Sequence, residues 1–375
     1  MINWKTETIN KNHDMISNQH LSETVYIHKI DPAFAKRPIT TFLIEALSKS
    51  TSLSIGESFV WVNFTLLFFC GISLFYLARL ILGDTKKSNF SILFFYLSFT
   101  VVFSFFPTNY SYDEPLQYLL IFASLFALIK KKWVLFVLSF SLSLIARESS
   151  IILLPAIALY FMTNEFKWAK RILVVILPVG IYIVFMYLFI VISGMGKKTS
   201  SDLSGRLSHF LINFQDQKYA IESLFSLALA IGVHLYFLLS YLSNNVLTSL
   251  DKKLIKSFLL TALINTVIVL ISTLARETRL FALPLVFLWP IFGKILVQEL
   301  KILGSPKNYL LIVNNILAFG TLILLWALCF LTYRFIYIQT NGVTQNFLDE
   351  YLLIFSALIS LHFVIKTRLK HGKQI

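Results

Sequence analysis

Charge is scarce in this chain. Only 14% of its 375 residues are Asp, Glu, Lys or Arg, while 57% are hydrophobic and 15% aromatic. A soluble domain carries about 25% charged and about 45 to 50% apolar residues, so this balance excludes one and reads as a multi-pass membrane protein. Acids are scarcer still, 19 against 33 Lys and Arg, for a formal net charge of +14. In a soluble chain that excess would suggest nucleic acid. Here the basic residues fall in short loops between hydrophobic runs, where they orient the chain in the bilayer, and no nucleic-acid partner is read from them. Cysteine is nearly absent: Cys70 and Cys329 lie far apart, each inside an apolar run, which fits small buried hydrophobes and excludes a disulfide framework. There is no Walker loop, dinucleotide glycine fingerprint, HExxH or nucleophile elbow, so a nucleotide-driven pump, an oxidoreductase or a membrane metalloprotease has no motif to rest on.

Residues 1–57 are polar, and no stretch in them is apolar enough to span or to act as a signal peptide. They are expected to form an outer-face N-terminal segment, followed by a helical membrane domain at 58–375. Eleven apolar runs predict fully or partly spanning helices, near 58–83, 90–106, 116–129, 133–146, 149–162, 172–194, 223–242, 255–274, 280–298, 309–335 and 350–365. Threading them places Lys86/Lys87, Lys130 to Lys132, Lys167/Lys170/Arg171, Lys252/Lys253/Lys256, Lys301/Lys307 and the C-terminal Lys366 to Lys373 on one side. The positive-inside rule makes that side cytoplasmic, with the C-terminus on it. The other side receives the N-terminal segment, Tyr112-Asp113-Glu114-Pro115, the Arg-Glu pairs at 147–148 and 276–277, a long loop at 195–222 and the loop 339–349. Runs 116–129, 133–146 and 149–162 are short for a core about 30 Å thick. Their charged ends are then expected below the outer surface in a water-filled vestibule, unless some of these pieces are re-entrant or merge across Arg147-Glu148 into one kinked helix.

One short polar signature occurs twice: Ser143-Leu-Ile-Ala-Arg147-Glu148-Ser149 leading to Pro155, and Ser272-Thr-Leu-Ala-Arg276-Glu277-Thr278 leading to Pro284, with eight residues from Arg to Pro in both. Charges between apolar helices are expensive in a membrane, so the recurrence marks either two paired helix ends or a working site. On the first reading Glu caps a helix start and Arg snorkels to the interface. On the second, Arg279, one turn after Arg276, completes a two-guanidinium clamp for a phosphate. Asp113-Glu114-Pro115 is either an ordinary helix start or a pair of carboxylates that serves as base or holds a divalent cation. Asp14 and Asp31 are further acids of the N-terminal segment, and Arg37-Pro38 leads into an amphipathic stretch. His13, His20 and His28 have no metal-ligand spacing.

Together these features resemble the bacterial GT-C membrane glycosyltransferases, in an all-α polytopic layout covering most of the chain. The resemblance implies inverting transfer of a sugar from a polyprenyl-phosphate donor to a glycan, lipid or protein acceptor, at the outer face of the bacterial cytoplasmic (inner) membrane. An outer-loop carboxylate acts as base, basic residues hold the departing phosphate, and a divalent metal ion is an optional helper. Carried over, the acids fall on Asp14 or Asp31 and on Asp113 or Glu114, and the donor-binding elements on Arg37, Arg147, Glu148, Arg276, Glu277 and Arg279. The chain departs from the family in showing no transmembrane helix before Ser58. Two rivals are a lipid-linked oligosaccharide polymerase or ligase, and a secondary transporter with the doubled signature as its repeat.

Overall fold

The computed structural model describes residues 18–104, 112–162, 168–194, 208–243, 245, 247–339 and 348–371. Helices α1 (Asn18–Ile30), α2 (Pro32–Ala35) and α3 (Pro38–Ser50) precede the long α4 (Ile55–Leu82). Then come α5 (Thr85–Leu97), α6 (Phe99–Ser104), α7 (Glu114–Ile129), α8 (Trp133–Ala146), a 3-10 turn at Glu148–Leu153, α9 (Leu154–Tyr160), α10 (Trp168–Ser193) and α11 (His209–Phe214). Next, α12 (Gln217–Leu227) runs through a π turn, Ala228–Gly232, into α13 (Val233–Leu242), and α14 (Ser249–Ser272) is followed by 3-10 turns at Thr278–Phe281 and Leu283–Phe287. The chain closes with α15 (Trp289–Leu303), α16 (Pro306–Val313), α17 (Ile316–Gln339) and α18 (Leu348–His371).

The protein is an all-α, multi-pass membrane protein. Among the described residues, six helical stretches are long and apolar enough to cross a bilayer: Ile55–Leu82, Ile172–Ser193, Gln217–Leu242, Ser249–Ser272, Ile316–Ile336 and Tyr351–Lys370. Eleven apolar runs therefore overstate the spanning helices. The difference arises where hydrophobicity continues but the helix does not. The run at 90–106 breaks at Ser98, 149–162 is half 3-10 turn, and 280–298 spends its first part in two 3-10 turns around Pro284.

The short helices sit at the centre. Helices α7 and α8 form a hairpin packed against α4, and α15 lies against α4 and α5. Between α7 and α8 the chain reverses at Lys130 to Lys132. Lys131 takes a positive φ of 59°, while the Lys132 amide donates to the Ala127 carbonyl and the Lys131 amide to that of Leu128. This double closure is the Schellman pattern, in which glycine is usual at the left-handed position. Lysine there adds a charge that holds the turn at an interface. Helices α1 and α3 pack on α4, so that Val25 and Ile44 share a small core with Val62, Leu66, Tyr112, Leu116 and Ala146. The polar N-terminal segment is thus, from residue 18, folded onto the bundle. Helices α10 and α17 keep most of their apolar surface exposed, as lipid-facing helices do.

Helix α14 orients the whole. Asp251 in its first turn accepts from Lys294 Nζ at 2.9 Å, while Ser272 and Thr273 at its far end border the charged cleft described below. Its 24 residues span about 36 Å, so the lysine-rich ends of α14, α15 and α18 lie opposite that cleft.

Close approach of α15 to α5 depends on Gly293, whose amide donates to Ser91 Oγ at 2.9 Å. A Cβ at this position would run into the Lys87 carbonyl and Ser91. Gly293→Ala is expected to destabilise the protein by about 1 to 3 kcal/mol, the usual range for overpacking, read as a lowered thermal unfolding midpoint in detergent. The same change at Gly232, where a Cβ meets open space, is expected to be nearly neutral.

Candidate functional site

Both copies of the Ser-to-Pro signature build the same local device. A helix ends, the backbone passes through a 3-10 turn, and a proline opens the next helical piece. In the first copy α8 runs to Ala146, Arg147 is extended (φ −161°, ψ 119°) and the 3-10 turn starts at Glu148. Ser150 Oγ donates to the Ser143 carbonyl at 3.1 Å, and Gln117 Nε2 donates to Ser149 Oγ at 3.0 Å and Ser150 Oγ at 2.9 Å. In the second copy α14 ends at Ser272, four residues before its arginine. Asn213 fastens that break: its Nδ2 donates to the carbonyls of Leu270 at 3.0 Å and Thr273 at 2.8 Å, and its Oδ1 accepts from the Ala275 amide at 2.9 Å. Such pairing satisfies the backbone groups that a broken helix leaves in an apolar setting.

The two breaks face each other across a cleft of about 270 Å³. Its polar lining is Arg37, Glu114, Gln117, Arg147, Glu148, Ser149, Asn265 and Arg279 among others, and Tyr118, Ile151, Ile152, Ile268, Val269, Leu280 and Leu283 supply apolar walls. Arg147 and Arg279 both pair with one oxygen of Glu114, Arg279 Nη1 at 2.5 Å. Arg279 also donates through Nε (3.1 Å) and Nη2 (2.7 Å) to Glu277 Oε2. Across the cleft Arg37 grips Glu148 with two bonds of 2.7 Å, Nε to Oε2 and Nη2 to Oε1, and Lys36 Nζ adds a contact of 2.9 Å. This fork-to-carboxylate geometry is the strong form of an ion pair.

Asp113 lies behind this second group. It is fully buried, 3.7 Å from Arg37 Nη1, and among the described residues neither of its oxygens has a hydrogen-bond partner. Burial pushes its carboxyl up to about 7, with the Arg37 guanidinium pulling the other way and Glu114 adding to the rise. The residue stands between helices, outside the spanning segments.

The structure thus brings Arg37, Glu114, Arg147, Glu148 and Arg279 together on one cleft, with Asp113 and Glu277 one layer back. Other sequence candidates lie elsewhere. Asp31 caps α2, accepting from the Ala33 amide at 2.9 Å, and Asp14 is outside the described residues. Arg276 stacks its guanidinium over the Tyr219 ring, 4.5 Å from the centroid. The clamp is therefore Arg147 with Arg279, and not Arg276 with Arg279. The reason is local: the second helix ends earlier than the first, the added turn at 274–277 carries Arg276 away, and Arg279 arrives where Arg147 stands in the first copy. Nor does Arg147 snorkel; its side chain is 9% exposed. Lys36, Gln117 and Asn265 were not candidates from sequence. Of these only Lys36 has a local signal, as neighbour of Arg37 before Pro38.

A divalent metal ion does not fit these residues. Among the described residues no three His, Cys, Asp or Glu side chains converge to hold one, and the cleft carboxylates Glu114 and Glu148 are each engaged by two cationic side chains. No protein-family model, curated protein or solved structure matches the chain.

Glu114 neutralises two buried guanidiniums with a side chain 5% exposed, so its loss leaves charge uncompensated. Glu114→Ala is expected to destabilise the protein by about 3 to 5 kcal/mol. Glu148→Gln, at a side chain 26% exposed, is expected to remain folded. Equal retention of both variants as monodisperse protein after mild heating in detergent would contradict this ordering.

Proposed function

We propose that the cleft binds the phosphate of a lipid-linked sugar and transfers that sugar to an acceptor hydroxyl, as in the glycosyltransferases the sequence resembles. The observation that carries the reading is the amphiphilic make-up of the cleft. Two guanidiniums stand side by side at its polar end, while Ile151 and Ile268, which line it, are 42% and 39% exposed. Exposed isoleucines at the lip of a bundle face lipid. A ligand with an anionic head and a hydrocarbon tail matches both ends at once, the head held by charge-assisted bonds and the tail left among acyl chains. A polyprenyl-phosphate sugar is such a ligand.

In this reading Arg147 and Arg279 bind the phosphate. The bond that breaks joins the sugar's anomeric carbon to a phosphate oxygen, and its electron pair leaves with that oxygen, where the guanidiniums stabilise the growing charge. The acceptor oxygen attacks the same carbon from the opposite side, giving inversion, and loses its proton to a carboxylate. Glu148 is the carboxylate suited to this step: it lines the cleft and is partly exposed, whereas Glu114 is enclosed between the two arginines. Arg37 and Lys36 orient Glu148 and also weaken it as a base. Asp113 tempers that effect. When it ionises it draws on the Arg37 charge from behind and returns proton affinity to Glu148.

The test is transfer from a panel of radiolabelled polyprenyl-phosphate sugars by purified protein. Arg279→Gln is expected to lower turnover by about 10²- to 10³-fold, the usual loss for one donor to a developing oxyanion, while Arg276→Gln, outside the cleft, keeps most activity. No transfer from any donor by the folded wild-type protein would refute the enzyme reading.

The pH profile gives a separate test. Because Asp113 must be ionised to relieve Arg37, activity is expected to climb as pH rises through about 7 and to stay flat over the same range in Asp113→Asn. An unaltered profile in that variant would remove Asp113 from the mechanism.

A further inference from the structure

A second polar network lies at the end of the bundle opposite the cleft and takes no part in the chemistry above. Glu299 of α15 accepts from Lys366 Nζ of α18 through both oxygens, at 2.9 and 2.7 Å, and from Ser240 Oγ of α13 at 2.7 Å. Lys366 also donates to the Ser240 carbonyl at 2.7 Å, and Tyr236 OH lies 2.8 Å from His362 Nδ1. Above this floor is a cavity of about 240 Å³ between α13 and α18, bordered by Ser243, Thr367, Lys370, Leu239 and Phe363.

The lining divides by chemistry. Leu239 and Phe363 are 57% and 53% exposed, so one flank of the cavity is open apolar surface at the bundle boundary. Lys370, an exposed cation, also lines the cavity, whereas the Lys366 charge is matched by Glu299. The two rim hydroxyls spend their protons inward, Ser243 Oγ on the Ser240 carbonyl at 2.8 Å and Thr367 Oγ1 on the Phe363 carbonyl at 2.8 Å. Each still presents oxygen lone pairs. Among the described residues no carboxylate pairs with Lys370, so the cavity offers one unmatched positive charge, two acceptors and an apolar flank.

We infer that the groove between α13 and α18, floored by the Glu299–Lys366 pair and rimmed by Lys370, binds the headgroup of an anionic phospholipid of the surrounding leaflet. The phosphate sits on Lys370, headgroup hydroxyls donate to Ser243 and Thr367, and the acyl chains lie along Leu239 and Phe363. Basic pockets between membrane helices recognise anionic headgroups in this way. Inorganic phosphate shares the charge but has no use for the apolar flank, and that distinguishes the two sources.

The experiment is lipid retention by the purified full-length protein, titrated with phosphatidylglycerol or phosphatidylcholine and followed by native mass spectrometry. Phosphatidylglycerol is expected to bind more tightly than phosphatidylcholine, and Lys370→Gln to weaken it about fivefold, the worth of one basic residue near a charged headgroup. Lys256→Gln, on the same lysine-rich end but remote from the groove, is expected to leave retention unchanged. Equal binding of the two lipids, no loss in Lys370→Gln, or an equal loss in Lys256→Gln would each overturn the site. Displacement of the lipid by millimolar inorganic phosphate would overturn its assignment to a lipid.

Discussion

The carboxylate of Glu114 is what the charged end of this protein is built around. Burying a guanidinium among apolar helices is costly unless an opposite charge meets it with good geometry, and here one carboxylate oxygen meets two. Those two arginines come from distant parts of the chain, 33 positions after Glu114 in one case and 165 in the other. Their shared partner fixes where α8 must stop and where the segment after α14 must turn. The short helices follow from this. Continued helix at either break would change the direction in which Arg147 and Arg279 leave the backbone, and with it their shared contact with Glu114.

Stopping a helix inside an apolar surrounding creates a second requirement, since the backbone groups at each break need partners. Ser150 and Gln117 serve the first break and Asn213 and Asn265 the second, the latter donating to the Leu280 carbonyl at 2.9 Å. These neutral residues make no claim on chemistry, yet without them the arginines would not be held across from each other. The cleft is the space that two terminated helices leave between them, bordered by the end of α14 at Ser272 and Thr273.

Much of this was legible in the sequence, for reasons that differ residue by residue. Membrane character could be read because composition reports directly on the solvent a helix must face. The doubled signature announced two helix breaks, and both are present. Which arginine enters the cleft was not legible, because it turns on α14 ending four residues before Arg276 where α8 ends directly before Arg147. The spanning count was overstated because apolar runs do not show that Ser98 or the segment around Pro284 interrupts the helix. Asp31 became a candidate only through the family resemblance, and its place before Pro32 makes it a helix cap instead. The Glu299–Lys366 network had no sequence signal, since partners 67 positions apart meet only through the packing of α15 on α18.

What lies between the two polar ends bears on the kind of work the cleft can do. Tyr118, which lines the cleft, packs edge-on against Trp289, with ring centroids 5.6 Å apart, and Trp289 in turn meets Phe122 at 6.2 Å and Phe95 at 4.9 Å. Trp289, Phe122 and Phe95 are fully buried, and the Trp289 indole N–H donates to Ser98 Oγ at 3.2 Å. This aromatic layer closes the bundle beneath the charged groups. A transporter moving a polar solute from the cleft to the lysine-rich end would have to part these rings and desolvate its cargo among them, whereas a transferase needs access from one face and from the lipid alone. In the proposed transfer reading, this closed floor keeps a low dielectric under Glu114, Arg147 and Arg279, where charges act more strongly than in water.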